Sequence, residues 1–358
     1  MGDRKIESTQ PSHGRFFTNQ LMIFALVIAL SACTATATPN VPVDTPAVSS
    51  TPTPEVTSTP EATPILPGTE GNPIIMGIIY ANPAEQAPAA EELIQYLADQ
   101  TGWVFAIKTY NSSIDLLTAM DEGNVSFAWL QPEEYLYASE MNIASVALLT
   151  SHYGLYGYGS NVYVPVDSGF SLYFDEDTGN STRDASASLK QFAQKTACLV
   201  STGSLSGYAY PLGLLAEQEI TINAPVLLQS HEAVIRAVAA GGICDFGVTY
   251  GILGDPRTAS AIQADIPDVM EKVKIAWQSP PDIPTLNLSY GVLLSGDFRY
   301  AISNALVEYA RNADGTQKLT QMTGYAIDGI RPASNDEYDS LRGALQAAAI
   351  DSLSLISK

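Results

Sequence analysis

The chain has 358 residues and a formal net charge of −21, from 38 acidic and 17 basic side chains, with three histidines and three cysteines. Nucleic-acid recognition normally needs a basic face, so this balance argues against it, and the acidity itself reads as solubility in an exported protein and names no ligand. The chain opens with Arg4, Lys5 and Arg15, then the apolar run LMIFALVIAL at 21–30, then small residues before Cys33. That is the build of a secretory signal, because a permanent membrane span needs about 20 apolar residues.

The ending Leu30-Ser31-Ala32-Cys33 resembles the bacterial lipobox, which implies cleavage before Cys33 and a lipid on its sulfur. The alternative is an ordinary secretory signal with an incidental cysteine. Residues 34–72 are rich in Thr, Pro, Ser, Ala and Val and lack aromatic residues, so they are expected to form a disordered, partly polyproline spacer. The expected location is extracytoplasmic, at the cell surface or in a periplasm, anchored through Cys33.

From residue 73 onward strands and helices alternate. IIMGII at 74–79 has strand length, and 83–102 places Ala90, Leu93, Ile94 and Leu97 at helical spacing before Gly102. Then follow a strand at 103–110, a capped helix at 112–123, a strand at 125–130, a helix at 132–141 and a strand at 144–150. After a strand at 160–166 and a turn-rich excursion at 168–184, a second series runs: a helix at 189–194, the strand ACLVST, a helix from about Ser206 to Gln218 and a strand at 224–230. It continues with a helix at 232–242 and strands at 244–250 and 274–279. LNLSYGVLLS at 286–295 leads to helices at 297–311 and 336–349. Two such series predict an α/β protein of two lobes, each a mainly parallel sheet flanked by helices, joined by two crossovers near 160–166 and 286–294.

The stretch STGSLSGYAY at 201–210 follows the apolar run ACLV and carries neither acid nor base. A strand ending in Ser201, Thr202 and Gly203, with a helix starting near Ser206, presents backbone N–H groups and a positive dipole end at one point. Gly203 and Gly207 would allow close backbone approach, and the Ser204 and Ser206 hydroxyls add neutral donors suited to a tetrahedral oxyanion. An N-capped helix after a tight turn is the plainer reading of the same residues. Cys198 and Cys244 stand at the starts of two expected strands and can form a disulfide if those strands are neighbours.

Several ordered pieces carry a resemblance: VSFAWLQPEEY at 125–135, YGSNVYVPVDSG at 158–169, STGSLSGY, QSHEAV at 229–234, IAWQSPPDIP at 275–284 and YAIDGIRPASNDEYDSLRGAL near the end. The run from Ile74 to Ile350 resembles the phosphate, phosphite and phosphonate binding proteins of ABC importers, of the type 2 periplasmic binding protein fold. The resemblance implies lobe 1 at 73–163 and 287–358 and lobe 2 at 164–286, a permease and an ATPase as partners, no cofactor and no metal, and a monomer. It implies ligand contacts from Ser204, Ser206, His231 and Tyr135 and from the backbone N–H of Leu205; Tyr80, Asn82, Asn111 and Tyr250 stand at loop ends and are expected to line the same pocket. Leu205 stands where the family usually has Thr. Ser113 stands where it usually has a tyrosine, with Tyr110 nearby. Tyr250, Gly251, Thr285 and Leu286 stand where aminoalkylphosphonate binders have acids, which disfavours an amine-bearing ligand.

Three functions are left open by the residues: a non-catalytic receptor that delivers an oxyanion to an ABC importer, a sensing module on the same lobes, and an enzyme on the same fold. Against the last, Gly203-Ser204-Leu205-Ser206-Gly207 is no G-x-S-x-G elbow, since position 205 is not serine. The acidic run 175–180 lacks the spacing of an EF-hand loop and is expected to be solvated surface.

Overall fold

Residues 66–356 are described in the computed structural model; Cys33 and residues 34–65 of the expected spacer lie outside them. The first series is β1 (Ile74–Ile78), α1 (Pro83–Thr101), β2 (Phe105–Thr109), α2 (Ser113–Asp121), β3 (Phe127–Leu130), α3 (Pro132–Glu140) and β4 (Ala144–Ser151). Next come β5 (Gly157–Pro165), the hairpin of β6 (Phe174–Asp175) and β7 (Asn180–Ser181), α4 (Ala185–Ser188) and β8 (Ala197–Leu199). A π-helical turn, Leu205–Ala209, runs into α5 (Tyr210–Glu217), followed by β9 (Val226–Leu227), α6 (His231–Ala240) and β10 (Phe246–Gly251). Two short helices, α7 (Ser260–Asp265) and α8 (Val269–Lys272), precede β11 (Val273–Gln278) and β12 (Ile283–Pro284). The chain then forms β13 (Asn287–Gly291), α9 (Gly296–Tyr309), α10 (Ala313–Thr323), β14 (Gly329–Pro332) and α11 (Asp339–Ala347).

The first sheet has the order β14-β4-β13-β3-β1-β2 and the second β11-β5-β10-β8-β9, with β12 paired to β5. The two share one plan. In the first, β1 pairs parallel with β2 and β3, and β13 enters antiparallel between β3 and β4. In the second, β8 pairs parallel with β9 and β10, and β5 enters antiparallel between β10 and β11. Each reversed strand, β5 and β13, sits next to a passage of the chain from one sheet to the other, between Ser151 and Gly157 and between Pro284 and Asn287. The fold is α/β, and most strands of each sheet share one direction.

Buried apolar residues form one cluster under β1, α1, α9 and α10 and another between α6 and the second sheet. A third joins the halves: Leu116, Tyr135 and Leu136 of the first series meet Leu205, Tyr210 and Leu214 of the second and Tyr338, Leu341 and Leu345 near the C-terminus. The last helix is thus shared property. α11 packs on α5, while the Tyr338 ring meets that of Tyr135 in α3 at a tilt, centroids 4.4 Å apart, and the Ser352 hydroxyl donates to Glu140 at 2.5 Å.

Some expectations are corrected. Residues 66–72, read as the end of the spacer, are folded against the first sheet: Gly68 N–H donates to Asn72 O at 2.8 Å, and Val104 N–H donates to Gly68 O at 2.9 Å. The helix α10 has no counterpart in the sequence reading. Its start is made by Asn312, whose side chain accepts from Gly315 N–H, and a Cβ at 315 would lie 1.8 Å from Tyr309 O, so glycine lets the new helix begin almost on top of the old one. The strand expected at 224–230 shrinks to two residues.

Cys198 and Cys244 are joined, with Cα atoms 5.6 Å apart. The bridge staples β8 to the approach of its neighbour β10. No helix among the described residues is long and apolar enough to cross a membrane.

Candidate functional site

The three parallel strands of the second sheet deliver their C-terminal ends to one edge, where ligands of open α/β sheets are commonly held. β8 runs out into the loop at 201–204, β9 leads to Ser230 and His231, and β10 ends at Tyr250 and Gly251. The structure therefore brings Ser204, Leu205, Ser206, His231 and Tyr250 to adjacent strand ends.

Ser204 caps the turn that follows. Its Oγ accepts from Gly207 N–H at 3.1 Å, a bond that leaves its own O–H hydrogen unused. The next residues form a π turn: Ala209 N–H donates to Ser204 O at 3.0 Å, and Tyr210 N–H donates to Leu205 O. π turns are rare and recur at functional sites. Leu205 is 4% exposed, its side chain within the shared apolar cluster, so its contribution to a ligand is confined to its backbone. Ser206 is buried and its carbonyl accepts from the Ser160 hydroxyl at 2.7 Å. Gly207 has a reason other than ligand approach: a Cβ there would lie 2.3 Å from Val200 Cγ2.

His231 opens α6, whose N-cap Ser230 accepts from Ala233 N–H. Its Nδ1 accepts from Tyr250 N–H at 3.4 Å, and its ring meets that of Tyr250 edge-on at 4.7 Å. Burial pushes the imidazole below its ordinary pKa, against a smaller upward pull from Glu232. The neutral ring, with Nδ1 accepting, carries its proton on Nε2 and can donate there without bringing a net charge. Burial, with Glu232 and Asp255, also raises the Tyr250 phenol.

The first sheet also gathers strand ends. Tyr80 follows β1 and is half-buried, its phenol raised by burial and Glu91. Asn82 caps α1 and donates its N–H to Gln86 Oε1 at 2.6 Å. Tyr110 is half-buried, whereas Asn111 is exposed. Ser113, the first residue of α2, gives its hydroxyl to the Glu134 carboxylate, which also accepts from Gln131 N–H at 2.7 Å. Tyr135 is the clearest departure from expectation. It is 1% exposed, its hydroxyl donates to Asn335 Oδ1 at 2.9 Å, and its ring lies under Tyr338, so it is core and faces no open space.

Sequence reasoning missed Ser160, and it missed the acids at the start of α3. Burial and the neighbouring Glu134 push the Glu133 carboxyl up to about 7, although the N–H bonding at the helix start pulls it down. Glu134 is also raised by burial, against the Ser113 and Gln131 bonds. Glu134 borders a cavity of about 100 Å³ with Ile78, Ile79, Trp129 and Leu286, where Trp129 Nε1 is buried without a partner among the described residues. Gln131 with Glu134 forms a capping box, and a glutamine at the cap hid it. Larger cavities, about 460 Å³ beside Lys108 and Leu293 and about 650 Å³ beside Arg183 and Pro280, contain none of the expected site residues.

Residues 76–338 match the family model described as "ABC transporter, phosphonate, periplasmic substrate-binding protein". The chain belongs to this family. The phosphate-import protein PhnD of Mycolicibacterium smegmatis is 28% identical over 188 residues, covering 49% of this chain and 53% of that protein, so the chain spans about half the length of this curated relative. Among solved structures, XAC2383 from Xanthomonas citri overlays with a TM-score of 0.56 bound to ATP and 0.55 bound to chloride. Each overlay has 15% identity and covers 77% of this chain and 96% or 97% of that one, a likeness of fold. By that description, members of the family are periplasmic substrate-binding proteins of ABC transporters.

Proposed function

We propose that this chain is a lipid-anchored extracytoplasmic receptor, held by Cys33, that captures a small tetrahedral oxyanion and passes it to an ABC permease and its ATPase without chemistry of its own. The two sheets are the cores of two lobes, and the ligand is enclosed by their closure, the common hinge mode of such proteins. The observation that carries the reading is the convergence of neutral donors on one edge of the second sheet: the helix start at Ser204–Ser206, where the Ser204 N–H is given to Ser201 O but those of Leu205 and Ser206 have no partner among the described residues, lies at the same edge as the neutral His231. An acidic protein can bind an anion this way because every group that meets it is a donor and none is negative.

Phosphite, phosphate or methylphosphonate fits these groups. An amine-bearing phosphonate does not, because Gly251 and Tyr250 carry no acid, Thr285 spends its hydroxyl on Thr150 O at 2.6 Å, and Leu286 is buried. The sequence similarity to a phosphate-import protein supports an oxyanion of this size. Calorimetry with phosphite, phosphate, methylphosphonate, 2-aminoethylphosphonate and sulfate tests the proposal. Binding of one of the first three, weakened by Ser204→Ala and Ser206→Ala, is expected; binding of none, or affinity indifferent to both substitutions, would sink it.

A further inference from the structure

The loop that presents Ser204–Ser206 has to be held still, and the sequence creates an obstacle to that. Pro211 has no N–H, so two carbonyls upstream of it lose the partners a helix would supply. Gly207 O is the one an α-helix would pair with residue 211, and Ser206 O is the one a π turn would pair with it. Tyr210 N–H, the remaining neighbour, is already given to Leu205 O. Both orphans are buried, where an unpaired carbonyl is costly.

The sheet takes them up. Gly207 O accepts from Val200 N–H at 3.0 Å, just past the end of β8, and Ser206 O accepts from the Ser160 hydroxyl on β5 at 2.7 Å. Ser160 is 1% exposed and is itself tied at its backbone: its N–H donates to Ser279 Oγ at 2.8 Å, and its carbonyl accepts from Ser279 N–H at 2.9 Å. The Ser279 hydroxyl in turn donates to Pro280 O at 2.9 Å. A continuous chain of hydrogen bonds therefore runs from the segment after β11, which leads toward the first sheet, through β5, which arrives from it, to the turn that carries Ser206.

We propose that Ser160 is the positioning residue of the oxyanion loop, fixing the Ser206 turn to the two segments that pass between the lobes. It touches no ligand; it acts through Ser206. The inference deepens the oxyanion-receptor reading and rests on it for its binding arm alone. Removing the hydroxyl leaves Ser206 O buried and unpaired, so the π turn is expected to shift or open and the donors at 204–206 to lose alignment.

The test is Ser160→Ala against Ser160→Thr in the full chain, read in two ways. Threonine keeps the hydroxyl and adds one methyl beside a small apolar space bordered by Ser160, Pro211, Phe246 and Trp277. Amide hydrogen exchange without ligand should show faster exchange at residues 207–210 in Ser160→Ala and parental exchange in Ser160→Thr. Calorimetry with inorganic phosphite should show a roughly tenfold loss in Ser160→Ala, restored by threonine, the size expected when one buried partner is left unpaired. Ser279→Ala, which keeps the Ser160 hydroxyl, should give a smaller change in the same direction and serves if Ser160→Ala does not fold. Unchanged exchange at 207–210 in Ser160→Ala, or a defect that threonine leaves uncorrected, overturns the proposal. If the parent binds no anion of the panel while its exchange behaves as expected, the receptor reading fails and the positioning role stands.

Discussion

The two sheets share a strand order and each sends strand ends to a helix start, yet the helix starts are opposites. At the first sheet, α3 begins with Gln131, Glu133 and Glu134, and the Glu134 carboxylate already takes the Gln131 N–H and the Ser113 hydroxyl. That helix start supplies its own anion. At the second sheet, the turn after Ser204 has no acid, and its cap is a hydroxyl that keeps a hydrogen to give. The same backbone plan thus yields one end satisfied from within and one end that an external oxyanion can complete. Topology brings strand ends to either edge, and under the proposed receptor reading the side chains decide which edge receives the anion.

The comparison extends to how each half is held. The second sheet carries the Cys198–Cys244 bridge, closing a separation of 46 residues, and the first sheet has no cysteine. Replacing both cysteines by alanine should lower unfolding free energy by about 4 kcal/mol, from the loop entropy of a closure this long. Urea unfolding with and without reductant checks it. If the second half is as stable without the bridge, the asymmetry is decorative.

The acid end of the first sheet makes the next largest prediction. Glu133 is raised to about 7 by burial beside Glu134. A folded pKa above the unfolded value means that the native state holds a proton the unfolded chain releases, so stability falls as pH rises from about 4.5 to 7 and is flat beyond. Glu133→Gln should abolish that slope and stabilise the protein at pH 8 by up to about 3 kcal/mol, with little gain below pH 4. Thermal unfolding across that range decides it, and a slope that survives the substitution would place the titrating group elsewhere.

The contrast between the two ends is sharpest in binding. Ser206→Ala and Ser204→Ala should each weaken phosphite by about 1.5 kcal/mol, near tenfold, whereas Ser113→Ala, whose hydroxyl is spent on Glu134, should leave affinity within about twofold. The opposite ranking in calorimetry would move the anion to the first sheet.

Much of this was legible in the sequence, and what was not has identifiable causes. Alternating apolar runs and capped amphipathic segments announced the two series, because burial and periodicity are local properties. The hydroxyl cap at Ser204 was legible for the same reason. The helix α10 was not, since ADGTQKLTQMT is polar and its start depends on a glycine fitting over Tyr309. That the Leu205 side chain belongs to the core was not legible either, because the π turn that directs it there depends on Pro211 and the sheet rather than on a local pattern. Tyr135 read as a pocket aromatic, and its true partner, Tyr338, lies far along the chain. Ser160 escaped for that reason too: nothing near it in sequence hints that its hydroxyl completes a carbonyl 46 residues later.

His231 gives the smallest effect. Its Nδ1 is committed to Tyr250 N–H, so only one neutral donor, Nε2–H, is available to an anion, and His231→Ala should cost about 1 kcal/mol of phosphite affinity. The pH dependence separates this role from that of a cationic histidine. With the folded pKa depressed by burial, the ring stays neutral through pH 7, and stability linked to it is full above the ordinary value near 6.5 and lost as pH falls below it, when the unfolded chain takes up the proton first. Phosphite affinity should therefore not strengthen on passing from pH 8 to pH 6.5 by any amount that His231→Ala removes. A gain in affinity at the acid end that depends on His231 would show the ring binding as imidazolium, and the second sheet would then hold its anion by charge after all.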